Sequence, residues 1–130
     1  MAVAQELDVY RDMYSLLMTI EDLRVHFPKM YKYDFGNELF MTGVACCELI
    51  QSANMTRNLE RFKFLQQFIV KFGTLKLLLR ICKDRRIISI DDSAKIILLL
   101  ENIGRQATGW KNATWAVLPN SVKQTLNPEL

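Results

Sequence analysis

Apolar residues recur at steps of three and four along four separate stretches of the chain, and each stretch predicts one amphipathic helix. The first series is Met13, Leu16, Ile20, Leu23 and Phe27. It must end by Phe27, because Pro28 lacks an amide donor and biases the residue before it away from the α region. The segment PKMYKYDFG then serves as a connector, with Asp34 as the start signal for the next helix. The second series, Phe35, Leu39, Gly43, Cys46, Ile50 and Ala53, ends in a polar turn over 54–58. Gly43 lies on the apolar face, where its poor helix propensity predicts close approach of a neighbouring backbone. The third series, Phe64, Phe68, Leu75, Leu79 and Cys82, belongs to a helix of about 25 residues from Asn58, roughly 38 Å long. A break over 85–90 precedes Asp91 and Asp92, which suit a helix N-terminus. The fourth seam is Ile96, Leu99 or Leu100, Ile103, Ala107 and Trp110, fading over 109–112.

Four helices with short connections predict an all-α fold, an antiparallel up-down-up-down four-helix bundle over residues 1–112. Residues 113–130 show no sustained period and contain Pro119 and Pro128. They are expected as a C-terminal tail, packed locally through Trp115 and Leu118 or partly disordered. The third helix has a second apolar stripe, Val70, Leu77 and Ile81, roughly 120° from its seam at 100° per residue. The fourth carries the unbroken run from Ile96 to Leu100. A helix apolar on two sides is buried on two sides, so a homo-oligomer is expected, with Val70, Leu77, Ile81, Ile97 and Leu98 at its contacts. A wide core with overlapping stripes is the other reading.

At 130 residues, half of them hydrophobic and only three of them Pro, the chain suits one compact domain. Its start shows no basic residues followed by an apolar run, and no apolar stretch approaches the roughly 18 residues of a membrane span. A soluble cytoplasmic protein with no membrane partner is expected. Three cysteines, two of them the neighbours Cys46 and Cys47, make no disulfide framework and have no zinc spacing, so reduced buried thiols are expected. His26 is the single histidine, and Asp22 four residues earlier completes at most a two-ligand pair. No metal and no cofactor is expected. The sequence also has no Gly-rich phosphate loop and no nucleophile with a plausible base, which argues against an enzyme and against a small-molecule substrate.

Charge changes the picture. Nine of the seventeen Lys and Arg fall between Arg57 and Arg86 with two acids, Glu60 and Asp84, so this stretch carries +7. The other eight bases meet twelve acids and sum to −4. A concentrated basic surface attracts polyanions better than the same charge spread evenly, which makes RNA or DNA the expected partner. Lys76, Arg80 and Lys83 fall at i, i+4 and i+7 and project from one side of the third helix, with Arg85 and Arg86 beyond its end. Phosphate contact needs only such cations at a suitable spacing, and Arg adds a planar fork for two oxygens. Arg57, Arg61 and Lys63 begin the same helix, where positive charge opposes the helix dipole and calls for a purpose or a partner. Lys29 and Lys32 alternate with Tyr31 and Tyr33, either as phosphate contacts with stacking rings or with the tyrosines as anchors of the connector. The anchor reading is preferred.

Three stretches carry a resemblance: FPKMYKYDFGNEL at 27–39, LLLRICKDRRIISIDD at 77–92 and LLENIGRQATGW at 99–110. In this order and spacing, over roughly residues 8–112, the chain resembles the accessory variability determinant proteins of diversity-generating retroelements. That group sits within a four-helix family that includes proteins encoded in ribosomal RNA intervening sequences. The resemblance implies a pentameric barrel of four-helix bundles in a bacterial or phage system. It also implies binding of nucleic acid and of the retroelement's reverse transcriptase, without catalytic residues. The alternative it implies is an oligomeric protein of the intervening-sequence type, with a general RNA-binding or structural role and no polymerase partner.

Overall fold

A computed structural model describes residues 7–127. The expectations for residues 1–6 and 128–130 lie outside the described residues. Four long helices, α1 (Asp8–Arg24), α3 (Asp34–Met55), α4 (Asn58–Asp84) and α5 (Ile90–Ala116), are joined by a one-turn α2 (Lys29–Lys32) and followed by a short α6 (Asn120–Leu126). Helix α1 packs on α3 and α5, and α4 also packs on α3 and α5, so the long helices close a ring around one core. The protein is an all-α bundle. None of the described helices is long and apolar enough to cross a membrane.

Each helix begins and ends for a local reason. Helix α1 stops at Arg24, short of the buried Phe27 and Pro28. Arg24 then reaches across the connector, its Nε donating to the carbonyl of Lys32 at 3.1 Å. Gly36 makes room for this, since a Cβ there would sit 2.7 Å from Arg24 Nε. Helix α3 starts at Asp34, where the sequence placed it, and buries Leu39, Gly43, Cys46, Ile50 and Ala53. Gly43 does face a tight contact, but the neighbour is the Leu17 side chain, whose Cδ1 lies 2.6 Å from where a Cβ would stand. The expected backbone contact is thereby corrected to a side-chain one.

The seam of α4 is Phe62, Leu65, Phe68, Phe72, Leu75, Leu79 and Cys82. Phe64, expected at its start, is only half-buried. Phe62 replaces it because Trp115 packs against it, ring centroids 5.1 Å apart, a partner contributed from beyond the expected end of the fourth helix. At the other end α4 closes in a Schellman arrangement. Arg86 adopts φ 57°, its amide bonds to the carbonyl of Lys83 at 3.1 Å, and the amide of Ile87 reaches that of Cys82 at 2.7 Å. Buried Ile87 and buried Cys82 supply the apolar contact that accompanies this motif.

Ser89 caps α5 by accepting from the amide of Asp92 at 3.1 Å, and Asp91 and Asp92 occupy its first turn. The helix runs past the expected boundary at residue 112, because Thr114 is buried and Trp115 packs on Phe62. Leu118 is buried too, and Pro119 precedes α6. Inside the ring, Phe68 and Phe72 stack at 5.2 Å. Asp12 of α1 accepts from Asn102 at 3.0 Å and from Gln106 at 2.6 Å, fixing α1 against α5.

Candidate nucleic-acid interface

Helix α4 has 27 residues, about 40 Å at 1.5 Å per residue, and displays most of the basic segment along its length. Lys76, Arg80 and Lys83 are all exposed. They line one side of a groove of about 380 Å³ between α4 and α5, with Leu79, Ile88 and Ile97 among its apolar walls. Arg85 and Arg86 are exposed just beyond the helix end. All five cations are therefore exposed along the last turns of α4 and just past its end, with Asp84 among them.

Little in the fold occupies these charges. Arg80 Nε stands 3.7 Å from Asp84 Oδ2, both side chains largely exposed, a pairing that solvent screens to small effect. Lys76 Nζ lies 5.4 Å from the centroid of the Phe72 ring. Lys83, Arg85 and Arg86 form no side-chain hydrogen bond or ion pair among the described residues. Free cations beside an apolar groove suit phosphates with intervening sugar or base surface.

The remaining candidates divide. Arg61 is engaged: its Nε donates to the carbonyl of Ala53 at 2.9 Å and its second amino nitrogen to that of Asn54 at 3.4 Å, while the guanidinium carbon lies 5.5 Å from the Trp110 ring centroid. These are carbonyls of the last turn of α3, so the cation that opposes the dipole of α4 satisfies that of α3. Arg57 is exposed at the start of α4, and Lys63 is exposed beside Val70 and Gln67. Lys29 is exposed, while Lys32 is half-buried and its carbonyl holds Arg24. Tyr31 meets Phe35 edge-on at 6.0 Å and anchors the connector. Tyr33 points its ring to solvent.

His26 and Asp22 are both exposed. Among the described residues no three potential ligands cluster as a metal site. All three cysteines are free and buried. Burial pushes the Cys46 and Cys82 thiols up to about 12 and Cys47 up to about 11, so they stay protonated and unreactive at neutral pH.

Sequence reasoning missed Trp110 as part of a site and saw it only as the end of a seam. Its pairing with Arg61 spans α4 and α5, and nothing in the spacing along either helix signals a contact between them.

The model of the bAvd-like family matches residues 8–114. This chain belongs to the bAvd-like family. The bAvd-like region runs from the first turn of α1 into the last turns of α5, so it contains the whole basic ridge and excludes α6. No curated protein matches the chain.

Proposed function

We propose that this bAvd-like protein is a non-enzymatic accessory factor of a diversity-generating retroelement. In this reading it binds the element's reverse transcriptase together with template RNA or cDNA in the bacterial or phage-infected cytoplasm. One observation carries the proposal: the bAvd-like match encloses an exposed cationic edge, Lys76, Arg80, Lys83, Arg85 and Arg86, bordering a groove. Cations of this kind hold a phosphate backbone whatever its base sequence, as an accessory to copying requires.

The working form is a homo-oligomer, a pentameric barrel of antiparallel up-down-up-down bundles. Val70, Leu77 and Leu98 are exposed to 74%, 58% and 67%, more apolar surface on α4 and α5 than a monomer ordinarily leaves to water. Ile97 is less exposed and Ile81 is half-buried.

The test is a salt titration of RNA and duplex DNA binding, with capture of a cognate reverse transcriptase in parallel. Replacing Lys76, Arg80 and Lys83 with Ala should weaken binding for every sequence and lower the slope of log K against log salt by roughly 0.7 to 0.9 per lost contact. Equal slopes in wild type and variant would remove the ridge from the interface. RNA binding without polymerase capture would favour the intervening-sequence alternative. Light scattering reads the assembly, and Leu77→Asp should lower the mass while each bundle stays folded.

A further inference from the structure

The opposite end of α4 holds a second cleft, also of about 380 Å³, where Arg57, Asn58 and Arg61 face Trp110, Thr114 and Val117. Two flat surfaces line it, the Arg61 guanidinium and the Trp110 indole. The first is held in place by the carbonyls of Ala53 and Asn54, so it is fixed before any ligand arrives. Two donors stand unused there: the Arg57 guanidinium and the indole N–H of Trp110 have no partner among the described residues. The first turn of α4 opens on the same cleft at Asn58, and no side chain caps its amides. Asn58 takes φ 55°, a left-handed conformation that Asn adopts readily, and this turns the chain into α4 at the mouth of the cleft.

This set of features is selective. Guanidinium and indole planes accept a nucleobase face to face, and unpaired Arg and helix-start amides accept a phosphate. A volume near the lower limit of ligand pockets admits one nucleotide and excludes a duplex. An acidic peptide would match the cations and leave the flat surfaces without a ring. We propose that this cleft binds a single nucleotide unit, its base against the Arg61–Trp110 pair and its phosphate on Arg57 and the start of α4. The unit is either a free nucleoside monophosphate or the terminal nucleotide of a single strand. The site stands independently of the polymerase and of the ridge, whose first member, Lys76, is about 22 Å from Arg61 along α4.

Trp115→Phe leaves Trp110 as the only indole, because the chain has two Trp, and it keeps a ring against Phe62. Fluorescence titrations of this variant use adenosine monophosphate, adenosine, inorganic phosphate, and a pentanucleotide with and without a 5′-phosphate. The monophosphate or the 5′-phosphorylated strand should quench Trp110 saturably, and the tighter of the two identifies the source of the nucleotide. Adenosine should bind at least about fivefold more weakly, and phosphate alone should leave the emission unchanged. Arg57→Gln should lower affinity about tenfold at an unchanged melting temperature, whereas Lys95→Gln, an exposed cation of α5 outside both the cleft and the ridge, should have no effect. Calorimetry on the wild-type chain repeats the comparison without the Trp115 change. Absence of saturable binding up to millimolar ligand, or equal losses for Arg57→Gln and Lys95→Gln, would overturn the site. Either failure leaves the salt titration of the ridge free to succeed.

Discussion

The two ends of α4 carry similar positive charge and put it to different use. At the start, Arg61 is bound to the last carbonyls of α3 and covers Trp110. At the finish, Lys83, Arg85 and Arg86 are exposed and form no ion pair among the described residues. The connections explain the contrast. A turn of two residues between α3 and α4 sets the start of one helix beside the carbonyl end of the other, and unsatisfied carbonyls attract a cation. Between α4 and α5 the Schellman turn and the Ser89 cap satisfy the backbone without any charged side chain. Charge counted along a sequence therefore overstates a binding surface wherever a helix end needs a cation.

The largest expected effect tests that contrast directly. Arg61→Ala should cost about 2 to 4 kcal/mol, because two charge-assisted hydrogen bonds are lost and carbonyls of α3 are left without donors. For a chain of this size that lowers the melting temperature by roughly 10 °C. Arg80→Ala, at the exposed end, should stay within about 0.5 kcal/mol of wild type. Similar melting temperatures for the two variants would mean that both ends of α4 are mere surface.

Gly43→Leu comes next, at about 1 to 3 kcal/mol of destabilisation, since Leu17 Cδ1 already occupies the space. Gly73, half-exposed on α4 with nothing within 4 Å of its would-be Cβ, is the counterpart, and Gly73→Ala should stabilise by about 0.5 to 1 kcal/mol. Differential scanning calorimetry on both separates packing from propensity. Gly43 was legible from its place on the apolar face, as were the four long helices and the start of α3, because periodicity records burial within one helix. Phe62, the length of α5 and the Arg61–Trp110 pair were not legible. Each depends on a neighbour from another part of the chain, and the pattern along a single helix holds no signal for it. Likewise, the spacing of Lys76, Arg80 and Lys83 put them on one side of the helix, and all three are exposed, but spacing could not show that Arg61 is committed to α3.

The buried side of α4 and the adjoining face of α3 give a third effect, with pH as the lever. An unfolded thiol titrates near 9.0, whereas burial holds Cys82 near 12, so above 9 the unfolded chain releases a proton that the folded chain keeps. The thiols' contribution to stability is thus complete below pH 9 and is lost as pH rises toward 12, by about 1 kcal/mol per thiol one unit above 9. Cys46 and Cys47 act in the same direction on α3. Urea unfolding from pH 8 to 10 should show the decline, and Cys82→Ala should make it shallower regardless of the variant's own starting stability. An unchanged slope would place the alkaline sensitivity outside the seam.

The smallest expected effect bears on why the two ends differ. Each end has one residue in the left-handed region, Asn58 at the start and Arg86 after the finish. Asn tolerates that conformation better than most residues and Arg does not, so Arg86 holds a position that glycine would fill with less strain. Arg86→Gly should raise stability by about 1 kcal/mol, and Asn58→Gly by only a few tenths. If Arg86 contacts phosphate, the same substitution should reduce the salt slope by roughly 0.7 to 0.9. A stabilised variant with weaker, flatter binding would mean that stability is given up at this turn for a cation on the ridge. A stabilised variant with unchanged binding would shorten the interface to Lys76, Arg80, Lys83 and Arg85, and would reduce Arg86 to a residue that the Schellman turn merely endures.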